Sequence, residues 1–155
     1  MSTIKDGIYA LELPFEQGSM TDTGDGRWIS ILQPGSLGPD AHKVKVVYNK
    51  DKGAYTLQFE KSELYITFEG KPMINNKLTP GDKPRYFQIK PHQYEEDKYM
   101  YVSGMPRQNL SLHADSIIVA EDKKFHIGLA MERIFPPWVA MNDFPEKQAW
   151  LFRKV

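Results

Sequence analysis

The chain has 155 residues, 41% hydrophobic and 26% charged, enough for one domain with a sizeable core. Twenty basic side chains balance twenty acidic ones, so no net field draws nucleic acid or an anionic membrane, and neither is expected as a partner. Cysteine is absent, which excludes disulfides, thiol catalysis and cysteine-rich zinc sites.

Met1 to Gly7 lacks the basic and then apolar stretches of a secretory leader, so a cytoplasmic protein is expected, or one exported by an unusual route. The Asn109-Leu110-Ser111 sequon is then expected to stay unmodified. No apolar run approaches the roughly 20 residues that span a bilayer as a helix.

Taken in chain order, alternation of apolar and polar residues dominates, and long amphipathic helical patterns are missing. Strands are expected at Ile8–Leu13, Trp28–Leu32 and Val44–Tyr48. Ala54–Phe59 and Leu64–Phe68 read as a hairpin pair, followed by Arg85–Lys90, Tyr99–Val102 and Ile117–Ala120. Phe125–Met131 places apolar residues at every second position, which makes it a strand as well, and Trp150–Arg153 closes the chain. Eleven glycines and eleven prolines fall mostly between these runs, where turns are needed. Many short strands punctuated by turns imply a barrel or a sandwich.

A weak internal repeat chooses the barrel. Ile8-Tyr9-Ala10-Leu11, Ala54-Tyr55-Thr56-Leu57 and Tyr99-Met100-Tyr101-Val102 share an aromatic residue, a spacer and an apolar residue at similar intervals. The expected architecture is therefore an all-β β-trefoil, a threefold pseudo-symmetric barrel of about twelve strands filling residues 1–155. Its lobes are expected near 1–49, 50–92 and 93–155.

The opening Asp6-Gly7-Ile8-Tyr9-Ala10-Leu11 and the closing Ala149-Trp150-Leu151-Phe152-Arg153 bracket a cysteine-free chain of this length. That combination resembles the β-trefoil protease inhibitors of mushrooms, of mycospin and mycocypin type. The resemblance implies a rigid barrel whose loops enter protease active sites, and a defensive role. The papain-directed members carry an adjacent glycine pair in the first long loop. Here Gly24-Asp25-Gly26 interrupts it, which argues against papain-type inhibition.

Within that resemblance, a trypsin-like serine protease is the expected partner, met by a first-lobe loop inserted like a substrate. Arg27 is the expected anchor, since its guanidinium can pair with an acid in a specificity pocket. Asp25 and Gly26 precede it and Trp28 follows, adding apolar contact. Arg107, after Pro106, is a second candidate, and Asn75-Asn76 would suit an asparagine-cutting enzyme. The protein is expected to act as a monomer.

Catalysis finds no support in the sequence. His42, His92, His113 and His126 show no metal-ligand spacing, and neither a nucleophile elbow nor a phosphate-binding glycine loop is present. No enzyme activity, metal or cofactor is expected. A rival class is a carbohydrate-binding β-trefoil, because Gln148-Ala149-Trp150 has the Gln-x-Trp spacing of ricin-type lectins. That spacing occurs once, which makes Trp150 a core residue first. Pro136-Pro137-Trp138 offers a stiff aromatic for a sugar or a protein.

Overall fold

The computed structural model describes residues 4–13, 18–91, 114–121, 124–145 and 147–155. Among them there is no helix, and so none long and apolar enough to cross a membrane. The strands are β1 (Gly7–Leu13), β2 (Gly18–Thr21), β3 (Ser30–Leu32) and β4 (Val44–Asn49) in a first unit. A second unit holds β5 (Ala54–Phe59), β6 (Tyr65–Thr67), β7 (Thr79–Gly81) and β8 (Gln88–Pro91). The third holds β9 (Ala114–Val119), β10 (His126–Leu129), β11 (Val139–Asn142) and β12 (Trp150–Lys154).

The outer strands of each unit close a barrel. β1 pairs with β4, β4 with β5, β8 with β9, β9 with β12, and β12 returns to β1, all antiparallel. Tyr55 and Phe87 complete the ring by exchanging two backbone hydrogen bonds of 2.8 and 2.9 Å between β5 and β8. Closure leaves the barrel without an unpaired edge. The inner strands, β2/β3, β6/β7 and β10/β11, form three hairpins. This is a β-trefoil.

Three hairpins meet in one ring of backbone bonds. The N–H of Ile29 donates to Leu78, that of Leu78 to Val139, and that of Val139 back to Ile29, at 2.9, 2.9 and 3.0 Å. All three side chains are fully buried. A buried N–H without an acceptor is costly, so each hairpin needs the other two to satisfy its own backbone. The ring marks the pseudo-threefold axis and makes Ile29, Leu78 and Val139 equivalent positions.

The barrel register extends that equivalence into the core. Leu11 faces Phe152, Leu57 faces Val46 and Ile118 faces Ile89 across the three seams between units. All six are buried. Alternation puts these residues inward in the first, second and third units alike, which is why the strand pattern was legible. The same register gives Tyr9, Tyr55 and Ser116 one position, opposite Lys154, Tyr48 and Pro91. The two tyrosines tie down the N-terminal segment, donating to the carbonyls of Lys5 and Ile4 at 2.8 Å each. The expected third copy at Tyr99–Val102 lies outside the described residues, and β9 occupies its place in the repeat.

β2, β7 and β11 carry no alternating signal. β2 and β11 are buried at every position, and β7 is Thr-Pro-Gly. Gly18 in β2 is dictated by close packing, since a Cβ there would lie 2.4 Å from Ile31 Cγ2. Trp150 is fully buried and its indole N–H donates to the carbonyl of Ile127 at 2.9 Å. Its place is the core, not a sugar pocket. Glu12 and Arg153, 2.7 Å apart, clamp the first strand to the last.

Two predictions test this account. Leu78→Ala, at the ring, should cost about 2–5 kcal/mol of unfolding free energy, whereas Leu37→Ala on the surface should cost within about 0.5 kcal/mol. Urea titration distinguishes them. His42 and His126 are both buried, and burial pushes both their pKa values down. His126 Nε2–H donates to the carbonyl of Phe144 at 3.1 Å, and Nδ1 finds no acceptor or donor among the described residues. The unfolded chain then takes up protons that the folded one refuses, so stability should fall as pH drops through about 6.5. His126→Gln should flatten that dependence between pH 7 and pH 5.

Candidate functional site

Positions next to the axial ring build the site. Trp28, Lys77 and Trp138 immediately precede Ile29, Leu78 and Val139, so the threefold arrangement converges them from three distant stretches of chain. Trp28 and Trp138 meet edge to face, with ring centroids 4.5 Å apart and planes at 76°. The Lys77 amine sits 5.1 Å from the Trp28 centroid and 2.6 Å from Glu132 Oε2. Trp28 remains 41% exposed despite these contacts, an unusual state for an indole.

The two neighbouring seams between hairpins are laced shut. Ile31 N–H donates to the carbonyl of Pro137 at 2.9 Å, and Met141 N–H to that of Asn76 at 3.0 Å. Symmetry requires a third bond from residue 80 to the carbonyl of Arg27. Residue 80 is proline and has no N–H, so this bond cannot form. The β-bridges Ser30–Trp138 and Lys77–Ala140 likewise have no counterpart between Trp28 and Thr79 among the described residues. At this unlaced seam, between the first and second hairpins, opens a cleft of about 850 Å3.

One wall is the segment from Thr23 to Trp28. Asp22 Oδ1 accepts the N–H of Gly24 at 2.9 Å, and Asp25 Oδ1 accepts the N–H of Arg27 at 2.9 Å. Gly24 and Gly26 hold φ of +86° and +75°, a region costly for other residues. Two aspartate-closed turns in succession therefore shape this loop, which answers for Gly24 and Gly26. The Thr23 hydroxyl, 2.7 Å from Asp25 Oδ1, and then the Arg27 N–H hold the Asp25 carboxyl below the usual carboxylate range.

The opposite wall comes from the second hairpin loop. Asn75 adopts φ +64°, donates through Nδ2 to Glu132 at 3.1 and 3.2 Å, and accepts the N–H of Met131 at 2.9 Å. Asn76 Nδ2 donates to the carbonyls of Glu69 and Lys71, both at 3.0 Å. Glu132 thus anchors the second unit to the third, and Lys77 first, then Asn75, keep its carboxyl ionised below the ordinary range. Glu69 and Thr79 complete this side.

The sequence-derived candidates Asp25, Gly26, Arg27, Trp28, Asn75 and Asn76 all line this one cleft. Arg107 lies outside the described residues. Sequence reasoning missed Lys77, Thr23 and Glu132, and it did not connect Trp138 to Trp28. The equivalence of 28, 77 and 138 around the axis is the signal that could have found Lys77 and joined Trp138 to Trp28. Among the described residues no group of histidine, aspartate and glutamate is placed to hold a metal ion.

No family model matches the sequence, and no curated protein matches it. Solved structures do. The fold is similar to that of a Macrolepiota procera ricin B-like lectin in complex with lactose, with a TM-score of 0.75 and 16% identity. That match covers 99% of this chain and 100% of the lectin. The Rhizoctonia solani agglutinin matches with a TM-score of 0.70 and 16% identity, over 100% of this chain and 99% of its own. A Clostridium perfringens endo-β-galactosidase that releases GlcNAcα1-4Gal contains the same fold in 32% of its length, with a TM-score of 0.68 and 11% identity over 96% of this chain. Identities this low speak for the β-trefoil architecture.

These neighbours correct the expected partner and function. The two structures matched along their full length are a ricin B-like lectin in complex with lactose and an agglutinin, in place of the trypsin-directed inhibitors expected from the chain ends. The loop geometry gives a physical reason. A substrate-like loop must be extended on both sides of its anchor, yet Gly26 is left-handed and the Arg27 N–H is spent on Asp25. Arg27 lines a concave wall instead of crowning a convex tip. The amides of Asn75 and Asn76 are likewise committed to the chain's own atoms.

Because Asp25 closes the turn before Arg27, Asp25→Ala should speed amide exchange at Arg27 while leaving the melting temperature of the barrel nearly unchanged. Acidification tests the same contact. The carboxyl is held low, so its contribution exists above the ordinary aspartate value near 3.9 and persists until the pH falls through the lower folded value. The amide of Arg27 should stay protected at pH 4 and lose protection below it.

Proposed function

We propose that this protein binds carbohydrate in the axial cleft, with Trp28 and Trp138 as the platform. The observation that carries this reading is a partly exposed indole pair in a cleft whose remaining walls are polar. A pyranose has one face of C–H bonds and a rim of hydroxyls. The C–H face packs on an aromatic ring, and the hydroxyls need donors and acceptors around it. Asp25 supplies acceptor lone pairs through Oδ2, the Thr23 hydroxyl oxygen can accept while its proton goes to Asp25, the Arg27 carbonyl is freed by Pro80, and Arg27 and Lys77 supply donors. Small-molecule sites typically measure about 300–1,000 Å3, and the cleft lies within that range.

The lactose complex of the Macrolepiota procera lectin makes a galactoside a reasonable first ligand to titrate. Asp25, Gly26, Arg27, Trp28, Asn75 and Asn76 retain the role of site residues in this reading. Their ligand is a sugar. The two aspartate-closed turns hold one wall in shape before a ligand arrives, which limits the ordering entropy lost on binding.

A glycan array followed by calorimetric titration tests the reading. At least one saccharide should bind, and its binding should perturb tryptophan fluorescence through Trp28 or Trp138, since Trp150 is sealed in the core. Trp28→Ala should weaken binding by about tenfold or more, the worth of one stacked aromatic contact. An array without a single binder, or affinity unchanged in Trp28→Ala, would sink the proposal.

A further inference from the structure

Beside the cleft the protein exposes apolar side chains that its own core does not use. Phe135 is 90% exposed, Met73 58% and Met131 55%, and Ile74 and Ile134 are nearly half exposed. They lie on two loops, Lys71 to Asn75 and Met131 to Phe135. Those loops are bolted together, because Asn75 bonds to both Met131 and Glu132 and Lys77 pairs with Glu132. The apolar residues therefore form one bipartite apron. A scattered exposed leucine needs no explanation, but five large apolar side chains on two joined loops do.

The loops also repeat a charge pattern. Lys71 precedes Met73 and Ile74, and Arg133 precedes Ile134 and Phe135; both bases are exposed. The acid between the loops, Glu132, is spent on Lys77. Each apolar tip thus carries one base beside it.

We infer that this end of the barrel docks on a phospholipid surface, the apolar tips entering the interface while Lys71 and Arg133 meet lipid phosphates. Convex tips built from adaptable methionines and one nearly free phenylalanine suit a fluid interface, which moulds itself around them. A rigid protein partner would need matching pockets. Overall neutrality removes long-range attraction to anionic membranes, and short-range burial beside two local bases does not require it. The inference does not depend on sugar binding, and it would bring the cleft against whatever glycans a membrane displays.

Co-sedimentation with sucrose-loaded vesicles free of glycan tests it, using phosphatidylcholine alone and with 30% phosphatidylserine as the probe surfaces. The intact chain should sediment with both, and more strongly with the anionic mixture. Ile74→Ser combined with Phe135→Ser should reduce partitioning about tenfold or more on both. Lys71→Glu with Arg133→Glu should erase only the preference for phosphatidylserine. All four positions are at the surface, and an unchanged circular dichroism melt confirms that the variants fold. Absence of sedimentation by the intact chain overturns the inference, as does sedimentation indifferent to the serine substitutions. Concentration-dependent dimerisation that Ile74→Ser with Phe135→Ser abolishes, without vesicle binding, would assign the apron to a second copy and overturn it too. Because these vesicles carry no sugar, each of these three failures leaves the cleft reading standing.

Discussion

Three backbone hydrogen bonds at the centre of the hairpins, joining Ile29, Leu78 and Val139, fix the geometry on which the rest of this molecule depends. Each donor belongs to one unit and each acceptor to the next, so no unit can bury its hairpin alone. The obligation to pair buried backbone groups converts three weakly similar stretches of sequence into one symmetric body. Side chains at the ring need only be apolar, and isoleucine, leucine and valine serve equally. That tolerance lets a β-trefoil persist at 16% identity to the lectins that share it.

Function grows from where the symmetry fails. Two seams between hairpins are closed by bonds from Ile31 and Met141, and proline at position 80 leaves the third open. One missing N–H therefore places a cleft at the axis and leaves a carbonyl unspent beside it. The residues around the axis diverge in the same way. Two of the three equivalent positions hold tryptophan and the third holds lysine, whose amine lies over one indole and pairs with Glu132. Strict repetition would have put three indoles there and filled the space. Lysine, thinner and polar at its tip, leaves Trp28 partly bare.

The Thr23–Trp28 loop shows how composition can mislead. Small residues before an arginine, with a strand behind it, are what an inserted protease-binding loop would need, and the same residues are what two aspartate-closed turns need. Aspartate and glycine select the turn, because aspartate can accept backbone N–H groups two residues on and glycine alone enters the left-handed region freely. A single arginine is too common a surface residue to decide between them. In the same way, the exposed tips at Met73 and Phe135 are unremarkable in the sequence, and become a surface only when Asn75 joins their loops.

By itself the sequence determined the barrel. Alternation over Ile8–Leu13, Val44–Tyr48 and Ala54–Phe59 is a local consequence of one face being buried, so it survives in the linear order of residues, and with it the threefold plan. It also singled out Asp25 to Trp28, through an arginine expected to anchor a protease, and Asn75-Asn76, as a pair suited to an asparagine-cutting enzyme. What only the tertiary structure decided is that these belong to one cleft, together with Lys77 and Trp138. Hairpin strands such as Gly18–Thr21 and Thr79–Gly81 carry no period, since they are buried on every side or too short to show one. Without them positions 28, 77 and 138 have no common frame, and three residues set far apart along the chain become neighbours through hydrogen bonds that depend on backbone alone.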